Sequence, residues 1–428
     1  MITHSSPAQQ GLRILILCNR VTYPPNDGGS IGAYQVAKGF ADEGNSVTML
    51  AFNTRKHYVD IASLGDEFTK RITLHTMDVD SAVTPLGALK NLFSKQSYQV
   101  ARFDVPAFRA MLHKHLAEHD YDVIHIEGIH MAVYLETLRK YSRAAVVLRA
   151  PNVEHQLWQT VADAEKNPLK KSYLRLQTAR YKRFEIDTLK RIDALIAVTP
   201  DDREYFTTFL PPERCLLAPT GIEQDTYAPR HIERMPDSVF HLGDLGWMPN
   251  RQAVEWFIEN VWQAVRREAP DLVFELVGRN IPTEYDTSYS IGDYGMRHIE
   301  GKNIAVLGDT NDAYGFMQSR NIMIVPIFSG GGMRVKIIEG LASGNVIVTT
   351  PLGVQGILAR HNEHVLVAST AGEFAAAIIR IAREPGLAER LRTNAAMLIK
   401  EEYAAETINT RITQFYRRLV EQRESGKK

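Results

Sequence analysis

Short apolar runs alternate with longer amphipathic stretches through the first half of the chain. The runs have the length and the aliphatic composition of buried strands, and the stretches between them repeat apolar residues at helical spacing. Buried strands joined by helices predict a parallel sheet that is covered by helices on both faces. The predicted strands of this half are Arg13 to Cys18, Ser46 to Phe52, Asp122 to Ile126, Ala144 to Leu148 and Ala194 to Val198.

A turn-rich segment, 218–223, interrupts this pattern, and the alternation then starts again. We therefore predict an α/β protein with two tandem, doubly wound, Rossmann-like domains, residues 1–218 and 219–405, that face each other across a cleft. Ligands of such sheets bind beyond the carboxyl ends of the strands, here in the crevice between the halves. A C-terminal helix, 406–428, is expected to pack back toward the first domain. The predicted strands of the second half are Val239 to Leu242, Leu272 to Val277, Ile304 to Leu307, Ile322 to Ile327 and Val346 to Thr350, with a helix from Gln252 to Arg267.

Composition and charge narrow the classes of function. The chain has 428 residues, in which 50 Lys and Arg balance 50 Asp and Glu, so a nucleic-acid binder that relies on overall attraction is not expected. The two cysteines, Cys18 and Cys215, are too few for a disulfide framework or a cysteine-rich zinc site. A polar N-terminal stretch, and no apolar run of about 18–20 residues, predict a cytoplasmic protein.

One amphipathic stretch keeps a peripheral association with the inner face of the membrane open. Leu86, Leu89, Leu92 and Phe93 recur at helical spacing, and lysines lie between them. A basic amphipathic surface can lie on an anionic bilayer. The simpler interpretation is a helix or flap whose apolar side faces the core.

The first glycine-rich loop does not fit two common nucleotide sites. Its glycines, Gly28, Gly29 and Gly32, do not form the G-x-G-x-x-G pattern, and the second strand ends without an acidic residue for a ribose hydroxyl. A G-x-x-x-x-G-K-[ST] sequence does not occur either. These features argue against a nicotinamide dehydrogenase and a P-loop enzyme. We interpret Gly28 and Gly29 as a place where the backbone approaches a ligand, and the alternative is an ordinary surface loop.

The sharper candidate site is the segment 324–340, which reads as strand, glycine turn and helix. The glycines and the helix start let a diphosphate approach backbone N–H groups. Arg334 and Lys336 add full positive charges. Glu339 lies on the same helix face as Lys336, where a carboxylate suits two adjacent ribose hydroxyls. The candidates for binding a nucleotide diphosphate are Gly330, Gly331, Gly332, Met333, Arg334, Lys336 and Glu339.

The segment from Val325 to Thr350 resembles the donor-binding region of glycosyltransferase family 4, whose members are retaining enzymes of the GT-B fold. The P-P-x-x-G-G loop, the D-V-I-H strand and the T-G-I-E crossover support the resemblance. The segment from Leu242 to Asn250, with its W-x-P-N signature, is similar to a branch often tied to bacterial polysaccharide assembly. The resemblance implies transfer of a sugar from a nucleotide-diphosphate sugar to a hydroxyl acceptor, which is a glycan, a lipid-linked molecule or a small molecule. It implies no metal and no other cofactor.

Two departures from the family pattern affect the donor site. The E-x7-E pair of the family would place its first Glu at Gly331, so only Glu339 is present, and backbone amides from Gly330 to Met333 would have to replace the missing side chain. The Arg and Lys that many members carry after the first strand of the second domain are also absent, and Asp244 begins the segment found there. The resemblance then assigns diphosphate binding to Arg334 and Lys336, with Asp244 as a further donor-binding candidate.

Polar residues also follow strands of the first domain. His125 and Glu127 share one strand face, and Glu154 and His155 come shortly after the next strand, a place where relatives carry a similar cluster. We take Glu127 and His155, together with Arg334 and Lys336, as the catalytic candidates. A buried structural role is the alternative for His125. The D-x-D sequence 78–80 is interpreted as a chance match rather than a metal site, because no second ligand cluster accompanies it.

Two other functions stay open at this stage. The same fold serves nucleotide-sugar 2-epimerases, although the W-x-P-N and R-x-K-x-x-E segments favour a transferase. The missing first Glu also leaves room for a non-catalytic subunit that binds a nucleotide sugar. The oligomeric state is not predicted.

Overall fold

The computed structural model describes residues 11–25, 28–65, 68, 70–227, 230–282, 297–299, 303–330 and 332–425. The chain forms two compact units. Unit 1 comprises Met1–Gly221 and Ala405–Lys428, and unit 2 comprises Ile222–Ala404. Each unit contains one seven-stranded sheet. The predicted α/β class with two doubly wound sheets is therefore confirmed.

The sheet of unit 1 has the strand order β3-β2-β1-β4-β5-β6-β7, and all neighbours are parallel. Chain direction across the sheet reverses at β1, which lies between β2 and β4. Parallel sheets carry ligands at such switch points, beyond the carboxyl ends of the strands. The strands are β1 Arg13–Cys18, β2 Ser46–Thr54, β3 Ile72–Val79, β4 Val123–Glu127, β5 Ala145–Ala150, β6 Ala194–Ala197 and β7 Cys215–Leu217.

Side chains along each strand point alternately to the two faces of this sheet, so both faces are apolar and helices cover both. In β1, Leu15 and Leu17 enter one apolar core, and Ile14 and Ile16 enter the other. The α-helices before the crossover are α1 Gly28–Asp42, α2 Pro85–Asn91, α3 Tyr98–Ala101, α4 Pro106–Glu118, α5 Leu135–Tyr141, α6 Glu154–Ala164, α7 Pro168–Leu189 and α8 Pro200–Thr207. Short 3₁₀ helices occur at Arg55–His57, Ile61–Ser63, Ile129–Tyr134 and Pro212–Arg214.

The sheet of unit 2 has the order β10-β11-β9-β8-β12-β13-β14, and only the β10–β11 pair is antiparallel. Its switch point lies at β8, between β9 and β12. The strands are β8 Met235–Leu242, β9 Val273–Val277, β10 Arg297–Ile299, β11 Ile304–Gly308, β12 Arg320–Val325, β13 Val346–Thr349 and β14 Leu366–Val367.

The single helix predicted from Gln252 to Arg267 is in fact two helices. The first begins four residues earlier, because Pro249 is favourable in a first turn, and the break falls at Val261. The α-helices of unit 2 are α9 Met248–Asn260, α10 Trp262–Glu268, α11 Ala313–Gln318, α12 Val335–Ala342, α13 Pro351–Val354, α14 Ala371–Arg383 and α15 Leu387–Leu398. A 3₁₀ helix, Gln224–Tyr227, opens the unit and a π-helical turn, Ile399–Tyr403, ends it.

The C-terminal helix, α16 Ala405–Ser425, belongs to unit 1 and packs against α1. Ile412 and Tyr416 are buried beside Phe40 in one of the two cores of that unit. Gly39 permits the close approach of the two helices, since a Cβ atom there would overlap the side chain of Asn409. None of the helices within the described ranges is both long and apolar enough to cross a bilayer.

Candidate functional site

A glycine turn joins β12 to α12 at the carboxyl end of the unit 2 sheet. Gly330 and Gly332 have φ values of 104° and 79°, a backbone region that side chains other than glycine rarely adopt. Gly331 lies outside the described residues. The apolar side chain of Met333 packs against the core beside the turn. The turn therefore leaves its backbone open to close approach at this edge, and the predicted role of these residues in ligand binding stays a prediction.

Arg334 is a buried guanidinium at the cap position of α12. Its side chain is 7% exposed, and one terminal nitrogen donates to the carbonyl of Gly330 at 2.9 Å. The Nε atom has no hydrogen-bond partner, and no carboxylate of the described chain pairs with the group. Burial alone lowers the pKa of Arg334, yet an arginine stays charged at neutral pH. A buried cation without a counter-charge is costly, so the site is suited to an anionic ligand.

Lys336 lies half-buried on the first turn of α12. Its ammonium group donates to the carbonyl of Leu242 at 3.1 Å and to the side-chain oxygen of Asn250 at 2.8 Å. Gly243 makes this contact possible, because a Cβ atom there would come within 2.8 Å of the lysine nitrogen. Burial lowers the pKa of Lys336 to about 8, although the nearby carboxylate of Glu339 acts in the opposite direction. The second predicted cation is thus held near the first.

The W-x-P-N segment is part of the same site. The amide nitrogen of Asn250 donates to the carbonyl of Asp244 at 2.9 Å, which orients the amide oxygen toward Lys336. The Asp244 carboxylate accepts from the backbone of Gly246 at 2.8 Å and from Asn280 at 2.7 Å. The Asn280 bond, first, and then the Gly246 bond lower the pKa of Asp244. Asp244 therefore shapes this loop, and Asn250 contacts Lys336 although it was not among the predicted site residues.

Glu339 accepts a hydrogen bond from the hydroxyl of Tyr227, with 3.2 Å between the oxygens. Burial raises the pKa of Glu339, while the Tyr227 bond and the charge of Lys336 lower it in part. Tyr227 packs edge-on against Tyr314, with 4.4 Å between the ring centroids. Tyr227 was not among the predicted site residues, since a lone tyrosine in a short 3₁₀ helix belongs to no motif.

A chain of buried polar groups runs behind the carboxyl edge of the unit 1 sheet. Glu127 accepts from Arg149 at 2.6 Å and lies 3.0 Å from Nε2 of His125, whose Nδ1 is 2.5 Å from the hydroxyl of Tyr416. Burial opposes ionisation of Glu127, but Arg149 and His125 outweigh it and the pKa lies below its ordinary value. An ionised Glu127 accepts a hydrogen bond from Nε2 of His125, and both ring nitrogens of His125 have a partner. His125 is thus a satisfied buried histidine.

His155 is held from two sides. Its Nδ1 atom lies 2.5 Å from Glu185, and its Nε2 atom lies 3.3 Å from the hydroxyl of Tyr205. Glu185 also accepts from the backbone nitrogens of Glu154 and His155 at 3.2 and 3.4 Å, so it caps the start of α6. His155 is 5% exposed. The structure therefore places it behind the surface, and its predicted catalytic role stays a prediction.

The carboxyl ends of the unit 1 strands surround a cavity of about 780 Å³. Glu127, Glu154 and Gly29 line it, whereas Gly28 starts α1. The two glycines lie in the first turn of that helix rather than in a loop. Burial raises the pKa of Glu154 to about 7, and the neighbouring carboxylates of Glu185 and Asp202 add to the shift. Asn152 opposes that shift through a hydrogen bond.

The described part of the chain contains no group of three or more His, Cys, Asp or Glu side chains that could hold a metal ion. Asp80 of the D-x-D sequence faces solvent and pairs with Arg55 at 3.5 Å.

Two family models match consecutive parts of the chain. The model described as Glycosyltransferase Family 4 matches residues 26–226, and the model described as Glycosyl transferases group 1 matches residues 236–384. A Klebsiella pneumoniae protein, described as an uncharacterised protein in the cps region, is 21% identical over 403 residues, which are 92% of this chain and 97% of the relative.

Solved structures share the fold at low sequence identity. The Anabaena protein HepE in complex with UDP superposes with a TM-score of 0.61 at 14% identity, over 94% of this chain and 99% of that one. Sucrose-phosphate synthase from Thermosynechococcus elongatus gives a TM-score of 0.64 at 16% identity, over 96% and 100% of the two chains. WaaG, a glycosyltransferase of lipopolysaccharide biosynthesis, gives 0.58 at 14% identity, over 94% and 99%. With one family match on each unit and a fold shared with these enzymes, the chain belongs to glycosyltransferase family 4 and is a transferase of the GT-B fold.

Proposed function

We propose that the protein transfers a sugar, with retention of configuration, from a nucleotide-diphosphate sugar bound at the glycine turn of unit 2 to a hydroxyl acceptor. The observation that carries the proposal is the buried guanidinium of Arg334, which has no carboxylate partner in the described chain. A diphosphate supplies the missing negative charge and can accept from the free Nε atom. A neutral ligand would leave this cation uncompensated.

The diphosphate is also the group on which charge develops as the sugar leaves. Arg334, Lys336 and the backbone amides at the start of α12 are preorganised around that position, and such groups supply a large share of transition-state stabilisation. Two hydrogen bonds within the chain fix Lys336 in place. Because the cations neutralise the leaving group, the reaction is proposed to proceed without a metal ion.

Retention follows from attack of the acceptor on the same face of the sugar that the diphosphate leaves. The departing phosphate oxygen takes the proton of the acceptor hydroxyl while the new glycosidic bond forms. No protein nucleophile is required in this scheme. Glu339, held by Tyr227 on the same face of α12 as Lys336, is assigned to the ribose hydroxyls.

The acceptor is proposed to bind in the cavity of unit 1, where Glu127 and Glu154 lie at the wall. Both carboxylates can accept hydrogen bonds from sugar hydroxyls. The relative from the Klebsiella pneumoniae cps region supports a role in polysaccharide or glycoconjugate biosynthesis.

Calorimetric titration with UDP, GDP, ADP and their nucleosides tests the donor site. Arg334→Ala and Lys336→Ala should each weaken diphosphate binding by about 10-fold or more and nucleoside binding much less. The matched control is Arg267→Ala, which removes an exposed arginine from α10. Equal affinity for the diphosphate in the parent and both site variants would refute the assignment.

A product assay separates transfer from its rivals. Release of free nucleotide from a UDP-, GDP- or ADP-sugar only when an acceptor is added supports transfer, and the anomeric configuration of the product reports retention. An isomeric nucleotide sugar formed without acceptor would establish epimerisation instead. Tight binding without turnover across the donor and acceptor panels would indicate a binding subunit.

A further inference from the structure

A row of exposed apolar side chains follows β3 in unit 1. Val83, Leu86, Leu89 and Phe93 have 66%, 63%, 58% and 92% of their surface exposed, and Leu92 is exposed as well. The interpretation in which the apolar side of this stretch, Leu86 to Phe93, faces the core is therefore wrong. Single exposed apolar residues are common on soluble proteins, but a contiguous group of them indicates an interaction surface.

Positive charge surrounds this row. The sequence from Ser81 to Phe103 contains no Asp or Glu, whereas it contains Lys90, Lys95 and Arg102. The long helix α7 packs beside the row, and Arg180 donates to the carbonyls of Asn91 and Leu92, both at 2.9 Å. From Pro168 to Phe184 that helix also lacks acidic residues, although its Lys170 and Arg175 pair with Glu165 and Asp163 just before it. We name the apolar row together with Lys90, Lys95 and Arg180 the apolar–basic face.

The face is continuous with the cavity of unit 1. Val83 belongs to the exposed row and also lines the cavity, whose wall carries Lys56 and Arg102 as well as the carboxylates of Glu127 and Glu154. One site therefore combines an apolar rim with a polar interior that holds charges of both signs.

Arg102 is a cation in the cavity wall whose hydrogen bonds are only partly used. Its guanidinium donates to the carbonyl of Ser81 at 2.9 Å and lies over the ring of Phe103, 4.7 Å from its centre. Its Nε atom is buried without a hydrogen-bond partner, and no carboxylate of the described chain pairs with it. The group is fixed in place while part of its hydrogen-bonding capacity stays unused, which favours a phosphate-like ligand.

We infer that the apolar–basic face docks unit 1 on an anionic lipid bilayer, and that the adjoining cavity takes the phosphorylated head group of a lipid-linked acceptor beside Arg102. The inference rests on the proposed function, since it names the class of acceptor. Exposed leucines and a phenylalanine insert into the headgroup region, and the basic side chains around them attract anionic lipids. A second copy of the chain fits the face poorly, because two faces without acidic residues would repel each other.

Vesicle co-sedimentation of the full chain tests the docking surface. Three vesicle types are compared: phosphatidylcholine alone, phosphatidylcholine with phosphatidylglycerol, and the latter with a few per cent of a polyprenyl diphosphate. The parent should bind the anionic vesicles, and rising salt should weaken that binding. Phe93→Ser and Leu89→Ser should each lower the partition coefficient by about 10-fold or more. The control Met397→Ser removes an apolar residue of unit 2 that is 52% exposed, close to the 58% of Leu89, and should bind like the parent.

The cavity is tested separately. Arg102→Gln should bind vesicles with phosphatidylglycerol as the parent does, yet lose the additional affinity that the polyprenyl diphosphate gives. Thermal unfolding and UDP binding without lipid show that each variant is folded.

A parent protein that binds UDP but does not prefer anionic vesicles would overturn the inference and leave the donor assignment intact. The inference would also be overturned if the parent protein is a dimer that does not bind vesicles and Phe93→Ser dissociates that dimer. The face would then be a contact between two copies of the chain. An Arg102→Gln variant that keeps the full diphosphate effect would refute the head-group site.

Discussion

The side-chain oxygen of Asn250 accepts a hydrogen bond from the ammonium group of Lys336, with 2.8 Å between the two atoms. The amide nitrogen of Asn250 is committed to the carbonyl of Asp244, so the amide cannot rotate without losing both bonds. The W-x-P-N segment after β8 thus positions a cation on the first turn of α12. The relationship gives a chemical reason for an asparagine at that place.

Asn250→Ala should weaken UDP binding by about 10-fold, because Lys336 loses the bond that orients it. Uridine binding should change much less, since the lysine serves the diphosphate. Calorimetric titration with both ligands measures the difference. Asn260→Ala, which removes an exposed asparagine from the other end of α9, is the matched control. A parallel loss of UDP and uridine affinity in Asn250→Ala would show that the residue only supports the fold.

The low pKa of Lys336, about 8, predicts a pH dependence for nucleotide binding. Below pH 8 the side chain is charged and attracts the diphosphate, whereas above it the free protein must take up a proton to bind. The affinity for UDP should therefore fall between pH 7 and pH 9, approaching about 10-fold per pH unit at the upper end. Lys336→Met should bind more weakly at pH 7 and show a flat profile over the same range. A parent profile as flat as that of the variant would contradict the prediction.

Glu339 should recognise the ribose. The parent should bind UDP more tightly than 2′,3′-dideoxy-UDP, since the carboxylate can accept from two hydroxyls. Glu339→Gln should lose most of that discrimination while it still distinguishes UDP from uridine. The affinities of the two nucleotides for the parent and the variant form a double-mutant cycle. The cycle isolates the interaction free energy between the carboxylate and the ribose hydroxyls. If the ratio between the nucleotides is unchanged in Glu339→Gln, the ribose is bound elsewhere.

The sequence was sufficient to predict features that lie within one contiguous segment. The predicted first strand matches β1 at both ends, because its apolar run is sharply bounded. The glycine turn and the two cations that follow it were also selected from one stretch of chain. The early start of α1 at Gly28 was missed, since glycines at a helix start resemble a loop in sequence.

Contacts between distant segments were not predictable in this way. Tyr227 meets Glu339, and Glu185 reaches His155 from a different helix. A single sequence shows that a glutamate lies on an amphipathic helix, but not which backbone nitrogens it will face. Such partners decide whether a polar residue contacts a ligand or is locked behind the surface.

Glu185 is expected to stabilise the start of α6. It is 1% exposed and accepts from two backbone nitrogens and from His155. Glu185→Ala leaves these buried donors without a partner and should lower the free energy of unfolding by about 2–4 kcal/mol. Asp187→Ala, which removes a carboxylate from the exposed side of the same helix, should change it by less than about 0.5 kcal/mol. Urea unfolding of both variants measures the contrast, and similar losses would show that Glu185 is not a cap.

The raised pKa of Glu154 predicts that its carboxylate destabilises the fold at alkaline pH. Its pKa is about 7 in the folded protein against an ordinary value of 4.5, because burial and the nearby charges of Glu185 and Asp202 disfavour ionisation. Between these two pH values the unfolded chain has lost a proton that the folded chain still holds, so stability falls as pH rises through this window. Glu154→Gln stays neutral and should raise the free energy of unfolding at pH 8 by about 1–3 kcal/mol, with little effect near pH 4.5. Glu204→Gln, on the exposed surface of α8, should show no such difference. Urea unfolding at pH 8 and near pH 4.5 measures these changes in the free energy of unfolding. If Glu154→Gln changes it equally at both pH values, the carboxylate of Glu154 is solvated.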